Sequence, residues 1–139
     1  MFLLDTNVIS ELRKVGDGRA DANVVAWLSG VEASNLYVST VTLMELERGA
    51  LRIERRDKAQ AALLRQWLEN YVYLAFRDRA IPVNAEIALS CAALHVPDPR
   101  PELDALIAAT ALVHGMTLVT RNVADFAPMG VKLINPWVA

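Results

Sequence analysis

Phe2-Leu3-Leu4-Asp5-Thr6-Asn7-Val8-Ile9-Ser10-Glu11-Leu12 opens the chain, and its reading sets the fold class. Three apolar residues in a row, stopped by an acid, suit a strand buried on both faces, as in a parallel sheet. From residue 6 the period lengthens. Val8, Ile9 and Leu12 fall on one face of a helix expected over residues 6–14. Strand, acid, helix is the opening unit of a doubly covered parallel sheet.

The same alternation recurs along the chain. A second helix is expected over 23–28, and Leu36-Tyr37-Val38 is the next strand, with Ser39 or Thr40 as a helix cap. Residues 41–51 have helical spacing, weakened near the end by Gly49, and 59–69 form a second helix, so 41–70 reads as a helical hairpin. Leu74-Ala75-Phe76 is taken as a short strand and 83–94 as a helix. Pro97, Pro99 and Pro101 then force a loop. Leu103 to His114 is an alanine-rich helix closed by Gly115, and residues 116–119 and 131–134 are the last two strands. The expectation is an α/β fold: a short parallel sheet of about five strands flanked by helices, with an α-helical hairpin insertion, in a single domain spanning 1–139.

Composition sets the outer bounds. Hydrophobic residues at 54% against 22% charged are the balance of a folded core, and 139 residues suffice for one. A net charge of −2 gives no global basic footprint, so a nucleic-acid partner must be met by local cations or bound metal. The lone Cys91 lies in an apolar stretch and excludes an internal disulfide; it reads as a buried spectator. His95 and His114 read as isolated, so no His/Cys set argues for zinc. Asp5 interrupts the first apolar run too early for a secretion signal, and no stretch approaches the roughly 20 residues of a membrane span. A cytoplasmic protein is expected.

In open parallel sheets, ligands bind beyond the carboxyl ends of the strands. That rule selects acids. Asp5 follows the first strand, Glu45 lies about one turn into the helix after the second, and Asp125 follows strand 116–119 by a short turn. Asp104 stands in the first turn of its helix. Two carboxylates about 4 Å apart repel by roughly 4 kcal/mol at an effective dielectric near 20. A hard divalent ion resolves that repulsion, and carboxylates with water suit Mg²⁺, with Mn²⁺ as a substitute. The chemistry implied is metal-assisted phosphodiester hydrolysis.

Each residue has a plainer reading. Asp5 serves equally as a helix N-cap, Glu45 as half of an exposed pair with Arg48, Asp104 as a dipole partner, and Asp125 as a turn residue. Their joint placement at one sheet edge is what favours a site. Thr6, Asn7, Thr120 and Asn122 would support the acids, or serve only as turn and cap groups. Arg48 and Arg52, with Arg55, Arg56 and Lys58, form a basic cluster on the hairpin. They contact phosphates or make a solvated face with neighbouring acids. Arg121, Arg13 and Lys14 are similar candidates.

Several blocks resemble one family. Asp5-Thr6-Asn7-Val8-Ile9-Ser10-Glu11 after an apolar strand is similar to the opening motif of PIN-domain nucleases. Thr42-Leu43-Met44-Glu45-Leu46 resembles the helix with the second acid, and Asp104-Ala105-Leu106-Ile107-Ala108-Ala109-Thr110-Ala111 the block with the third. Thr120-Arg121-Asn122-Val123-Ala124-Asp125-Phe126 resembles the final block, and Asn135-Pro136-Trp137 the common ending. The ordered set runs the length of the chain. It implies a ribonuclease toxin of the VapC type, nearest the FitB branch of VapBC toxin–antitoxin pairs, with Asp5, Glu45, Asp104 and Asp125 on magnesium. It also implies an RNA substrate, a homodimer, and a VapB-like antitoxin through which alone the protein meets DNA. Many relatives carry an acid where this chain has Asn122, two residues after Thr120, leaving open whether Asn122 or Asp125 reaches the metal.

Two other enzyme readings fail on the residues. A phosphotransferase using Asp5 as nucleophile wants an acid at position 7, which is Asn, and no Gly-rich loop is present to cradle a nucleotide. The remaining alternative is a catalytically silent metal-binding module acting through a protein partner. No motif reports which RNA would be cut.

Overall fold

The computed structural model describes residues 1–138 and builds one sheet from five short strands: β1 (Phe2–Leu4), β2 (Leu36–Ser39), β3 (Ala80–Ile81), β4 (Thr117–Val119) and β5 (Leu133–Ile134). All neighbours pair in parallel, in the order β3-β2-β1-β4-β5. The central β1 pairs Phe2 with Leu36 on one side, and Phe2 with Thr117 and Leu4 with Val119 on the other.

The two-residue period of the strands sorts side chains between two cores. Leu3 and Leu118 point into a cluster with Ile87, Ile107, Ala108 and Phe126. Leu4 and Val119 enter the opposite cluster with Val8, Ile9, Leu46, Leu64 and Leu68. All four strand residues are fully buried. Each such burial contributes roughly 1.5–3 kcal/mol, well above any propensity difference between strands this short. The first cluster is roofed by α6 (Ala85–Leu94) and α7 (Glu102–His114). The second is covered by α1 (Thr6–Leu12), α3 (Thr40–Glu54) and α4 (Lys58–Trp67). The remaining helices, α2 (Ala22–Ser29), α5 (Tyr73–Ala75) and α8 (Val123–Phe126), are connectors.

Local chemistry fixes the helix ends. Asp5, Ser39, Asp57 and Asn84 each accept a backbone N–H of the helix they precede. Gly115 closes α7 at φ +65°, a conformation that would strain any residue with a Cβ.

Some boundaries differ from the sequence expectation. Leu74-Ala75-Phe76 is not a strand. After α4 the helix passes through a π-turn over Leu68–Val72 and ends one turn later, because Leu68, Val72 and Phe76 recur every four residues and all three are buried. The actual third strand is Ala80–Ile81, pairing with Val38 and Ser39. Helix α3 runs past Gly49 to Glu54; burial of Leu46 and Ala50 beside it outweighs the roughly 1 kcal/mol that glycine costs in a helix. Among the described residues no helix is long and apolar enough to cross a membrane.

Candidate active site

The strand order reverses at β1. The chain moves from β1 outward through β2 to β3, then returns to place β4 on the other side of β1. The crevice at the carboxyl ends of β1 and β4 is therefore the topological switch point, where an open parallel sheet leaves room for a ligand. A cavity of about 420 Å³ opens there, walled by Asp5, Glu45 and Asp104 together with Thr6, Asn7, Ser10, Glu11, Lys14, Arg121, Asn122 and Trp137.

Register brings Asp5 and Thr120 side by side, each one residue beyond a paired strand end. Asp5 is 6% exposed and firmly held. Its Oδ1 accepts the Thr6 N–H at 2.8 Å, and its Oδ2 accepts the Thr120 hydroxyl at 2.7 Å and the Asn7 amide at 3.4 Å. The capping role and the cavity role are thus filled by one carboxylate. The Thr120 hydroxyl is a hub, since it also accepts from Asn7 Nδ2 at 3.3 Å and from the Asn122 backbone N–H at 3.0 Å. Asn122 supports the site through its backbone N–H and is itself among the residues that line the cavity.

Glu45 reaches the cavity from the second turn of α3, where Thr6 Oγ1 donates to its Oε1 at 2.7 Å. The pairing with Arg48 does not form. Asp104 enters from the first turn of α7, and among the described residues no hydrogen bond holds its carboxylate. Asp125, exposed on α8, does not line the cavity, but its charge bears on Asp104.

The electrostatics are those of crowded acids. Burial, then the charges of Asp5, Asp125 and Glu45, push the Asp104 carboxyl up to about 6. Burial likewise raises Asp5, partly offset by the donors Thr120 and Thr6. The donor set is oxygen only, with carboxylates supplemented by amide and hydroxyl groups, and this is the chemistry of a hard divalent cation.

Sequence reading missed three cavity residues: Ser10, Glu11 and Trp137. Ser10 and Glu11 follow from Asn7 at helical spacing on the face of α1 opposite Val8, Ile9 and Leu12. Glu11 is 7% exposed and accepts the Asp21 N–H at 2.8 Å and Lys14 Nζ at 3.1 Å, so its carboxyl is held below the usual range, chiefly by the Asp21 amide. Of the basic candidates, Arg121 and Lys14 line the cavity, whereas Arg48, Arg52, Arg55, Arg56 and Lys58 are exposed on the hairpin and do not.

His95 is not isolated, contrary to expectation. Its Nε2 lies 3.8 Å from Cys91 Sγ and 3.3 Å from Glu102 Oε2 across the α6–α7 corner, which sequence separation concealed. These three groups lie within 4.8 Å of one another. However, His95 Nδ1 accepts the Arg100 N–H at 3.0 Å. In the neutral ring the proton therefore sits on Nε2 and points to Glu102, and no ring lone pair is left for a cation.

Comparison with known proteins agrees with this geometry. The PIN domain model matches residues 2–129. The chain is 34% identical to the VapC ribonuclease Y4jK of Sinorhizobium fredii, over 99% of this chain and 98% of that one. Superposed on the crystal structure of FitAcB from Neisseria gonorrhoeae, it covers 100% of both chains at 30% identity with a TM-score of 0.89. A toxin–antitoxin complex from Klebsiella pneumoniae gives a TM-score of 0.65 at 28% identity, over 98% of each chain.

Proposed function

We propose that this chain, which belongs to the PIN-domain family, is a magnesium-dependent ribonuclease and the toxin half of a toxin–antitoxin pair. The observation that carries the reading is the convergence of Asp5, Glu45 and Asp104 on one cavity at the β1–β4 switch point. Uncompensated, these acids destabilise one another; a bound divalent cation removes that cost. Asp5, Glu45 and Asp104 are the residues that would hold the ion, with Asn122 and Asp125 at the margin. When bound, it supplies Lewis acidity at a phosphodiester and charge compensation for the leaving oxygen. Mn²⁺ fits the same oxygen donors.

The remaining work falls to the chain's own groups. Thr120, Asn7 and the Thr6 amide fix Asp5, and the Thr6 hydroxyl fixes Glu45, so both are oriented before any ligand arrives. Asp104, whose carboxylate no hydrogen bond restrains among the described residues, is left free to turn toward a bound ion from the first turn of α7.

The name of the Sinorhizobium relative supports RNA as the substrate, and the Klebsiella complex supports an antitoxin partner. An apolar groove of about 530 Å³ beside α1, lined by Ile9, Leu12, Val15, Trp67 and Tyr71, offers a surface for such a partner. By the same family reading the protein works in the cytoplasm as a homodimer and meets DNA only through its antitoxin.

The test is cleavage of mixed RNA by antitoxin-free protein, with and without Mg²⁺, beside Asp5→Asn. Metal-dependent cutting by the parent alone supports the reading. A folded parent that never cuts, yet holds an antitoxin tightly, would replace it with the silent-module alternative.

A further inference from the structure

The Arg121 guanidinium lies over the indole of Trp137, 5.4 Å from the ring centroid, and both residues line the acid-walled cavity. We propose that this pair seats the substrate strand: Trp137 stacks a nucleobase next to the scissile phosphodiester, and Arg121 binds a neighbouring backbone phosphate. The inference rests on the ribonuclease reading and deepens it by naming how single-stranded RNA is held.

Charge comes first. The cavity wall carries four acids, Asp5, Glu11, Glu45 and Asp104, and a polyanion approaching it meets repulsion unless a cation receives it. Two cations share the wall. Lys14 is engaged by Glu11 at 3.1 Å. Arg121 pairs with no carboxylate among the described residues. The basic cluster on the hairpin does not reach the cavity, so Arg121 is the available phosphate ligand there. Its position is fixed to the site itself, because its backbone N–H donates to Asn7 Oδ1 at 3.3 Å while Asn7 also bonds Asp5.

Trp137 supplies the second element. Its backbone is pinned at both polar groups: the carbonyl accepts Asn23 Nδ2 at 2.8 Å, and the N–H donates to Asn135 Oδ1 at 3.0 Å. Trp137 is partly buried against the core that α1 covers, yet still lines the cavity. An aromatic on a pinned backbone, under a guanidinium that no carboxylate engages, can hold one unpaired nucleotide: the guanidinium swings off the ring to the phosphate, and the base takes the π-face it vacates. The plain alternative is a latch in which Arg121 merely fastens the segment carrying Trp137, and the two readings differ in what RNA does to the indole.

The experiment uses the full chain and a short single-stranded RNA oligonucleotide. In the non-cutting Asp5→Asn protein, RNA should quench indole emission. In Asp5→Asn with Trp137→Phe, which keeps a stacking face and leaves only Trp27 and Trp67 to report, that quenching should vanish while affinity changes little. In cutting-competent protein, Trp137→Ala should raise KM about 5- to 150-fold, the worth of one stacked base, with the effect on KM rather than kcat and largely restored by Trp137→Phe. Arg121→Gln should raise KM and flatten its dependence on salt. Quenching that survives Trp137→Phe overturns the proposal, as does Trp137→Ala that melts earlier but keeps the parent KM. Should Trp137→Ala not fold, the fluorescence arm decides alone. If the parent cuts RNA and the Trp137 variants match it, only this inference falls; if the parent neither binds nor cuts RNA, the ribonuclease reading falls with it.

Discussion

Thr120 Oγ1 donates a 2.7 Å hydrogen bond to Asp5 Oδ2 across 115 residues of sequence. Parallel pairing of β1 with β4 makes that contact unavoidable, since Leu4 faces Val119 and the next residue of each strand emerges at the same edge. Thr120 is fully buried, and its hydroxyl collects Asn7 and the Asn122 amide as well. The sheet register thus orients the acid through one hydroxyl.

Thr120→Val should test that hub. The shape is preserved, but Asp5 loses a donor and the Asn122 N–H loses its acceptor. Groups that orient metal ligands are typically worth about 10–100-fold in metal affinity or activity, and a buried polar group left unpaired costs about 1–3 kcal/mol. We expect cleavage and Mg²⁺ affinity to fall within that range, with Thr120→Ser recovering most of both. Calorimetric Mg²⁺ titration and initial rates check it; wild-type Mg²⁺ affinity in Thr120→Val would show the bond to be dispensable.

Asp104→Asn should separate stability from function. The Asp104 carboxyl is raised to about 6 by burial and by Asp5, Asp125 and Glu45, so its ionised form is a net cost to the metal-free fold at neutral pH. Removing the charge should raise the melting temperature of metal-free protein at pH 7.5 while lowering Mg²⁺ affinity and cleavage. A variant that melts lower than the parent without metal would contradict the like-charge account.

The pH profile of metal-free stability follows from signs. Asp5 and Asp104 are raised above their ordinary 3.8, so the stability they contribute is present below that value and is lost as pH climbs through about 6 for Asp104. Glu11 and Glu47 are lowered from 4.5, so their stability is present above that value and lost as pH falls below it. Metal-free protein should therefore melt highest between about 3.8, above which the aspartates' share begins to fall, and about 4.5, where the glutamates' share is complete, and saturating Mg²⁺ should move the maximum upward. Melting curves across pH, with and without Mg²⁺, decide this.

Much of this was legible before any coordinates. Asp5 and Glu45 sit where a strand gives way to a helix, and Asp104 where Pro101 ends a loop, so local signals alone placed them at strand or helix ends. Other features were not legible for identifiable reasons. Strand β3 is two residues long and carries no period to read, while Leu74–Phe76 looked like a strand only when separated from Leu68 and Val72. The Cys91–His95–Glu102 contact depends on how the proline loop folds back, and the cavity role of Trp137 depends on where β5 delivers the chain. Whether Asn122 or Asp125 serves the metal turns on side-chain reach beyond β4. Asn122 lines the cavity, while Asp125 acts on it only through its charge.

The hairpin offers a prediction independent of the site. Glu47 on α3 accepts both terminal nitrogens of Arg65 on α4, at 2.6 and 2.7 Å, and the Tyr73 hydroxyl at 2.7 Å, so one carboxylate fastens three successive helices. Both partners of the ion pair are partly exposed, 28% for Arg65 and 38% for Glu47, which limits its worth to roughly 0–1 kcal/mol despite the two-pronged geometry. The hydroxyl, on a side chain whose pKa is pushed up to about 12 by burial and by Glu47, adds about 0.5–1.5 kcal/mol. Tyr73→Phe should therefore destabilise about as much as Arg65→Ala, and Glu47→Ala should cost roughly 1–2 kcal/mol by removing both. The two single losses should not add, because each partner helps hold Glu47 for the other. Urea denaturation of the three variants and of Tyr73→Phe/Arg65→Ala measures the coupling, and cleavage should be unaffected since none of these residues lines the acid cavity. Strict additivity would mean that Glu47 is fixed by its helix and not by its partners, and that the hairpin is held by the packing of Leu46, Leu64 and Leu68 alone.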